Sequence, residues 1–201
     1  MGEAIPASAV KELREATGAG MMDCKSALAE AAGSMDKAKE ILRKRGLKIA
    51  EKKAGRAMSQ GRIGAYVHHN HRVAVLVEVN CETDFAQNTP QFHEFLKDVA
   101  MHVGAMKPTW VTREEVPAEI REKELEVARA ASESQLKGKP KEVVDKILDG
   151  KLVKFYEEKV LLDQPFVKDP TKTVGQLLKE LIARIGENAQ IRRFARFEVG
   201  S

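Results

Sequence analysis

Apolar and polar positions recur with two different periods along this chain, and the changes of period predict its elements. From Ala7 to Thr17, Val10, Leu13 and Ala16 or Thr17 share one face, with Lys11, Glu12, Arg14 and Glu15 around the rest, which predicts a helix. Gly18-Ala19-Gly20 stops it, because glycine supplies the backbone angles of a tight exit. A second helix is expected from Met21 to Ala32, with Asp23 in the first turn, where the helix dipole favours a carboxylate, and Gly33 as its end. Ser34 is placed to cap a third helix running through Ile41 and Leu42 to Arg45 or beyond. Lys48 to Ser59, charged and alanine-rich, reads as a helical extension or linker and marks a domain boundary.

The period then drops to two. Ile63, Ala65 and Val67 alternate with Gly64, Tyr66 and His68; Val73, Val75, Val77 and Val79 alternate with Ala74, Leu76 and Glu78. The pair predicts an antiparallel hairpin. His71 stands where a tight two-residue turn wants glycine, so a looser turn is expected, in which His accepts positive φ better than most residues. Helical spacing returns from Pro90 to Val103 in the stripe Phe92, Phe95, Leu96, Val99 and Val103, and Lys107-Pro108-Thr109-Trp110 breaks it. Glu119–Gln135 and Lys141–Leu162 predict a helical hairpin near 117–162, with Val144, Leu148, Leu152, Tyr156 and Val160 as its seam and Ile147 and Phe155 alongside. Gln164–Thr173, with two prolines, reads as a loop, Val174–Ile185 as a helix, and Ile191–Val199 as a third strand. The fold class is therefore α+β. A three-helix module with its linker helix (1–54) precedes a core (55–201) in which a three-stranded antiparallel sheet packs with helices and a helical hairpin.

Composition narrows the chemistry. With 32% charged and 43% hydrophobic residues in 201, the chain has a real core under a solvated surface. A net charge of +4, spread through mixed-sign runs, does not compel a nucleic-acid partner. No aromatic is interleaved with the bases of 48–59 for stacking, so a solvated linker is the better reading there. Cys24 and Cys81 lie far apart and form no CxxC, which fits a reducing cytoplasm. No apolar run reaches the roughly 18 residues of a membrane span, and Met1–Pro6 lacks the pattern of a signal peptide. A cytoplasmic protein without membrane contact is expected.

Candidate sites are few. His68, His69 and His71 invite a metal, but adjacent strand residues point to opposite faces and no Cys or carboxylate sits at a ligand spacing, so no metal and no cofactor are expected. Cys24 lacks a partnered His, and there is no phosphate-binding glycine loop, nucleophile elbow or spaced carboxylate pair. Nothing argues for an enzyme. Two stretches are more telling. Met21 and Met22 follow a glycine-rich break, and both cannot face the small core of the module; one reading is a loose core, the other a docking patch, since methionine adapts to a partner's surface. Thr83-Asp84-Phe85-Ala86 closes the last valine strand. Either Thr or Asp caps the next helix while Phe85 folds inward, or Phe85 protrudes as an interface anchor.

Five blocks in order, LREATGAGMMDCK (13–25), EVNCETDFA (78–86), KDVAMHVGA (97–105), QPFVKDPTKTVGQLLKE (164–180) and IRRFARFEVG (191–200), resemble the bacterial translation elongation factor Ts family over essentially the whole chain, in its short, single-core form. The resemblance implies a guanine nucleotide exchange factor for the GTPase elongation factor Tu, acting in translation elongation and supplying no bond chemistry. It implies a ubiquitin-associated-like N-terminal module that docks on the GTPase through Leu13, Arg14, Thr17, Gly18, Ala19, Gly20, Met21, Met22 and Asp23. It also implies that Thr83, Asp84, Phe85 and Ala86 disturb the Mg²⁺ and phosphate site to promote GDP release, with His102 as a secondary contact. The family motif usually ends in Val where Ala86 stands, which on this reading weakens the anchor by about 1 kcal/mol. Pro6 replaces the usual Ser or Thr, a weaker start to the first helix. Short members are expected to homodimerise through the sheet. No direct nucleic-acid contact is expected, although a basic RNA- or ribosome-associated protein without exchange activity is the competing reading.

Overall fold

The computed structural model describes residues 5–132 and 137–200. The elements in order are α1 (Ala7–Thr17), α2 (Met21–Glu30), α3 (Met35–Lys53), β1 (Gln60–Val67), β2 (Val73–Cys81), α4 (Asp84–Gln87), α5 (Pro90–Met106), a 3₁₀ turn (Arg113–Glu115), α6 (Ala118–Ala131), α7 (Lys141–Lys159), β3 (Pro165–Phe166), β4 (Asp169–Thr173), α8 (Val174–Ile185) and β5 (Ala189–Glu198). The larger sheet is antiparallel, in the order β1-β2-β5, and the smaller pairs β3 with β4. The chain divides into two compact units: Met1–Arg62, Val79–Phe95 and Leu178–Gln190; and Ile63–Glu78, Leu96–Leu177 and Ile191–Ser201.

In the first unit, α1 to α3 close over a small core of Val10, Leu13, Cys24, Ala27, Leu28, Ala31 and Ala38. Gly18 ends α1 in the left-handed region at φ 69°, its N–H returning 2.7 Å to the Arg14 carbonyl, a geometry that costs glycine nothing. The expected end of α2 at Ala32 is two residues late, because Ala32 and Gly33 both take positive φ. Ser34 stands at the N-cap of α3, but its side chain makes no capping bond, so the expected cap is absent. Pro6 likewise precedes α1 without a side-chain cap. The linker Lys48–Ser59 is helical up to Lys53. α3 crosses α8 closely, since a Cβ added at Gly46 would lie 3.0 Å from that of Ala183. The Lys53 ammonium then bonds the Gly186 carbonyl just beyond α8.

In the second unit, Gly64 and Tyr66 of β1 face α5, against Leu96 and Gly104, on the same side as Val75 of β2. The turn between β1 and β2 is the looser one expected, with His71 at φ 56° donating to the His68 carbonyl at 2.8 Å. α6 and α7 form the predicted hairpin; the expected end of α6 at Gln135 lies outside the described residues. The seam holds at Leu148, Leu152 and Tyr156, but the helix stops short of Leu162. Val160 becomes extended and bridges Trp110, inside a cluster with Val116, Tyr156 and Phe155. Gln164–Thr173 is not a loop. Pro165 pairs with Thr173 and Phe166 with Asp169 in a two-stranded ribbon, where prolines are tolerated because each strand is an edge. No described helix is long and apolar enough to cross a membrane.

Candidate partner-binding site

β2 runs buried through Val75, Val77, Val79 and Cys81, and the chain then turns at Thr83 into the single turn of α4. Successive helical residues are about 100° apart, so neighbours on one turn face different ways. Ala86 is buried, Asp84 is exposed, and Phe85 stands 81% exposed. The sequence left an inward and an outward Phe85 open; the backbone turns it outward. Ala86 contributes no side chain to a partner surface, so the methyl groups it lacks relative to Val concern packing beneath the corner, not contact.

Polar groups fix this corner from both ends. Thr83 Oγ accepts from the Ala86 N–H at 3.4 Å. The Glu187 carboxylate accepts from the Thr83 N–H at 3.0 Å and from its hydroxyl at 2.8 Å. Glu82 reaches the other way, accepting from the Asn188 N–H at 2.6 Å and from Arg56 at 3.5 Å. The Asn188 N–H, with Arg56 in support and against a burial penalty, holds the Glu82 carboxyl below the usual carboxylate range. Beyond the turn, the Asn88 side chain donates to the Asp84 carbonyl at 2.7 Å, Thr89 to the Ala86 carbonyl at 2.8 Å, and the Gly61 N–H to Gln87 at 3.0 Å. Burial and the nearby Glu187 charge push the Cys81 thiol up, so it remains a neutral core group that donates to the Thr83 carbonyl at 3.2 Å.

The second candidate lies at the α1–α2 junction. Met21 and Met22, 58% and 74% exposed, open α2 side by side, and Arg14, Gly18, Gly20 and Asp23 are exposed near them. Leu13 belongs to the core, and its side chain is fully enclosed. Thr17 and Ala19 are half-buried and shape the junction: the Thr17 hydroxyl donates to the Leu13 carbonyl at 2.6 Å and accepts from the Ala19 N–H at 3.3 Å. Cys24 packs beneath and donates to the Ala19 carbonyl at 3.7 Å. Arg184 of α8 lies against Gly18, 3.4 Å from where a Cβ would stand.

His102 is not at a surface. It is fully buried, Nε2 bonded to Gln164 Oε1 at 2.9 Å and Nδ1 accepting from the Val167 N–H at 3.2 Å. With both ring nitrogens engaged inside the second unit, its side chain is not offered to a partner. Sequence reasoning missed Glu82 and Glu187 as corner-holding groups. The only local cue was a carboxylate in a three-residue connection between a helix and a strand, and the partner of Glu187 lies 104 residues away. Among the described residues no group of three or more His, Cys, Asp and Glu is placed to hold a metal ion.

The family model described as "Elongation factor TS" matches residues 7–201. Elongation factor Ts of Acetivibrio thermocellus is 58% identical over 196 residues, which is 98% of this chain and 90% of the relative. Elongation factor Ts of Caldanaerobacter subterraneus is 55% identical over 98% of this chain and 97% of its own length, and that of Fervidobacterium nodosum 54% identical over 98% of each. The α+β core, the exposed corner at the end of the valine strand and the methionine-tipped helical module thus sit in a chain that belongs to the elongation factor Ts family.

Proposed function

We propose that this protein exchanges the guanine nucleotide on elongation factor Tu by pressing the Phe85 corner against the Mg²⁺ and phosphate site of the loaded GTPase. Exchange on elongation factor Tu is the family's role, and the competing reading as an RNA- or ribosome-binding protein is not favoured. The observation that carries the corner reading is the exposure of Phe85 on a turn held by Glu187 and Glu82. Aromatics dominate interface hot spots. Asp84 beside it presents oxygens able to compete for groups around Mg²⁺, which prefers oxygen ligands. The protein makes and breaks no covalent bond. It acts by binding the empty GTPase more tightly than the loaded one, a coupling that is reciprocal.

The N-terminal module (1–54) is proposed to hold the partner through Met21, Met22 and the exposed groups around them, and the remaining core (55–201) to carry the corner and the dimer contact. The support for a homodimer is the outer face of the larger sheet, where Ile63, Val67, Leu76 and Phe197 are exposed, with exposed Val199 just past the end of β5. Several exposed apolar side chains on one sheet face suit a contact with a second copy. A cytoplasmic location follows from the same role. The test is release of labelled GDP from elongation factor Tu with and without the protein. Acceleration is expected, and an unchanged rate overturns the reading. Sedimentation of Phe197→Glu against the parent chain tests the dimer, a monomer being expected only in the variant.

A further inference from the structure

We infer that Glu187 is a positioning residue for Phe85: from 104 residues away its carboxylate completes the cap of the one-turn helix that carries the ring, and so sets the angle at which the ring meets the partner. This rests on the reading of Phe85 as the anchor. α4 is four residues long, and helices below about 12 residues are marginal on their own, so its shape must come from elsewhere. In a capping box a helix start is closed by a reciprocal pair: the N-cap hydroxyl takes the N–H three residues on, and a Glu or Gln at that third position takes the N–H of the N-cap. Thr83 makes the first bond, to Ala86. Ala86 has no side chain to make the second. Glu187 supplies it from the far end of the chain, one oxygen on the Thr83 N–H and the other on its hydroxyl. The hydroxyl proton is thereby committed to Glu187, which leaves the oxygen lone pairs for Ala86. The negative charge also lies where the helix dipole favours it.

Glu187 is itself held. Lys53 bonds the Gly186 carbonyl on one side. On the other, Asn188 donates through its backbone to Glu82 at 2.6 Å and through its side chain to the Arg56 carbonyl at 3.2 Å. The strand end grips the loop through Glu82 while the loop grips the strand end through Glu187. The same loop follows α8, whose Arg184 lies against Gly18 of the module. One helix therefore joins the connection before the methionine patch to the connection before Phe85.

The test uses the full chain with elongation factor Tu and GDP. Glu187→Ala is expected to lower the maximal stimulated release by about five- to tenfold, the size of a lost helix cap, while the half-saturating concentration moves less than about twofold. Glu187→Gln, which keeps one acceptor, is expected to fall between, and it carries the test if the alanine variant does not fold. In Glu187→Ala combined with Phe85→Ala, release is expected to be no slower than in Phe85→Ala alone. In the free variant, amide hydrogen exchange is expected to quicken at Thr83 and Ala86 and to stay unchanged at Val75 and Val77. Glu187 variants that release GDP at the parent rate, or losses that multiply with Phe85→Ala, overturn the inference alone. Full activity of Phe85→Ala overturns the anchor reading and the inference together.

Discussion

The Phe85 corner and the Met21–Met22 patch both offer apolar side chains to water, but they are built in opposite ways. The corner is one helical turn held by hydrogen bonds from distant residues, above all Glu187. The patch opens a ten-residue helix seated on a small apolar core, and no side chain caps its start. Phe85 has two rotatable side-chain bonds on a backbone braced from 104 residues away; each methionine has more rotatable bonds, on a helix start whose side-chain bonds come from near neighbours, Thr17 and Cys24. A stiff anchor suits a task in which position decides the outcome, namely displacing groups around a bound nucleotide. A soft surface suits grip, because methionine re-packs against what it meets. On the function proposed above, the difference fits the corner to promoting release and the patch to retaining the partner.

The strongest way to break that division is to remove what supports or forms each region. Leu13→Ala removes a fully buried side chain from the module and is expected to cost about 2–5 kcal/mol of stability. Denaturant unfolding should show it, together with loss of partner binding. Phe85→Ala is expected to leave the fold unchanged by circular dichroism, because the ring is exposed. It should reduce the maximal rate of stimulated GDP release by an amount equivalent to about 2–4 kcal/mol, the range of a hot-spot aromatic. If Phe85→Ala instead lowers stability as Leu13→Ala does, the ring is a structural plug and the comparison fails.

The two regions were unequally legible in the sequence. The valine strand was plain from its period of two, and His71 in the turn before it adopts the positive φ that its place required. The direction of Phe85 was not, since a strand end followed by a Thr cap reads the same whichever way the ring points. The family motif joins Ala86 to Phe85, although one residue along a helix turns the side chain to another face. Glu187 was missed for a different reason. Its bond to Thr83 exists only after the chain has folded, and no local pattern encodes it. The ribbon at Pro165–Thr173 was hidden by prolines that argue against central strands and not against edges.

A smaller effect sharpens the same contrast. Met21→Ala with Met22→Ala is expected to change unfolding stability by less than about 0.5 kcal/mol, as exposed positions do. The half-saturating concentration for exchange should rise about five- to thirtyfold, equivalent to about 1–2 kcal/mol of contact, with the maximal rate retained. A lowered maximal rate at unchanged half-saturation would transfer the positioning role to the patch.

The buried His102–Gln164 pair provides the control, a polar network that stabilises without facing a partner. Nδ1 accepts the Val167 N–H, so the neutral ring carries its proton on Nε2 and donates it to Gln164, whose amide is held by the Glu158 carbonyl at 2.7 Å. Burial holds the imidazole below its usual value, with the Gln164 bond opposing. The unfolded chain therefore takes up a proton near pH 6.5 while the folded chain resists it. Stability from this group is present above that pH and is lost as the pH falls, at no more than about 1.4 kcal/mol per pH unit for one proton. Carboxylates held low by their partners, such as Glu82 and Glu198, lose their contribution only at more acid pH, through and below the usual carboxylate range. Urea unfolding of the parent chain should thus weaken between pH 7.5 and 5.5, and in His102→Gln the pH slope should flatten although the absolute stability is lower. Stimulated GDP release by folded His102→Gln at pH 7.5 should match the parent. A slope that persists in the variant would move the titration elsewhere, whereas a lost exchange rate would mean that the buried pair, and not only Glu187, governs where Phe85 points.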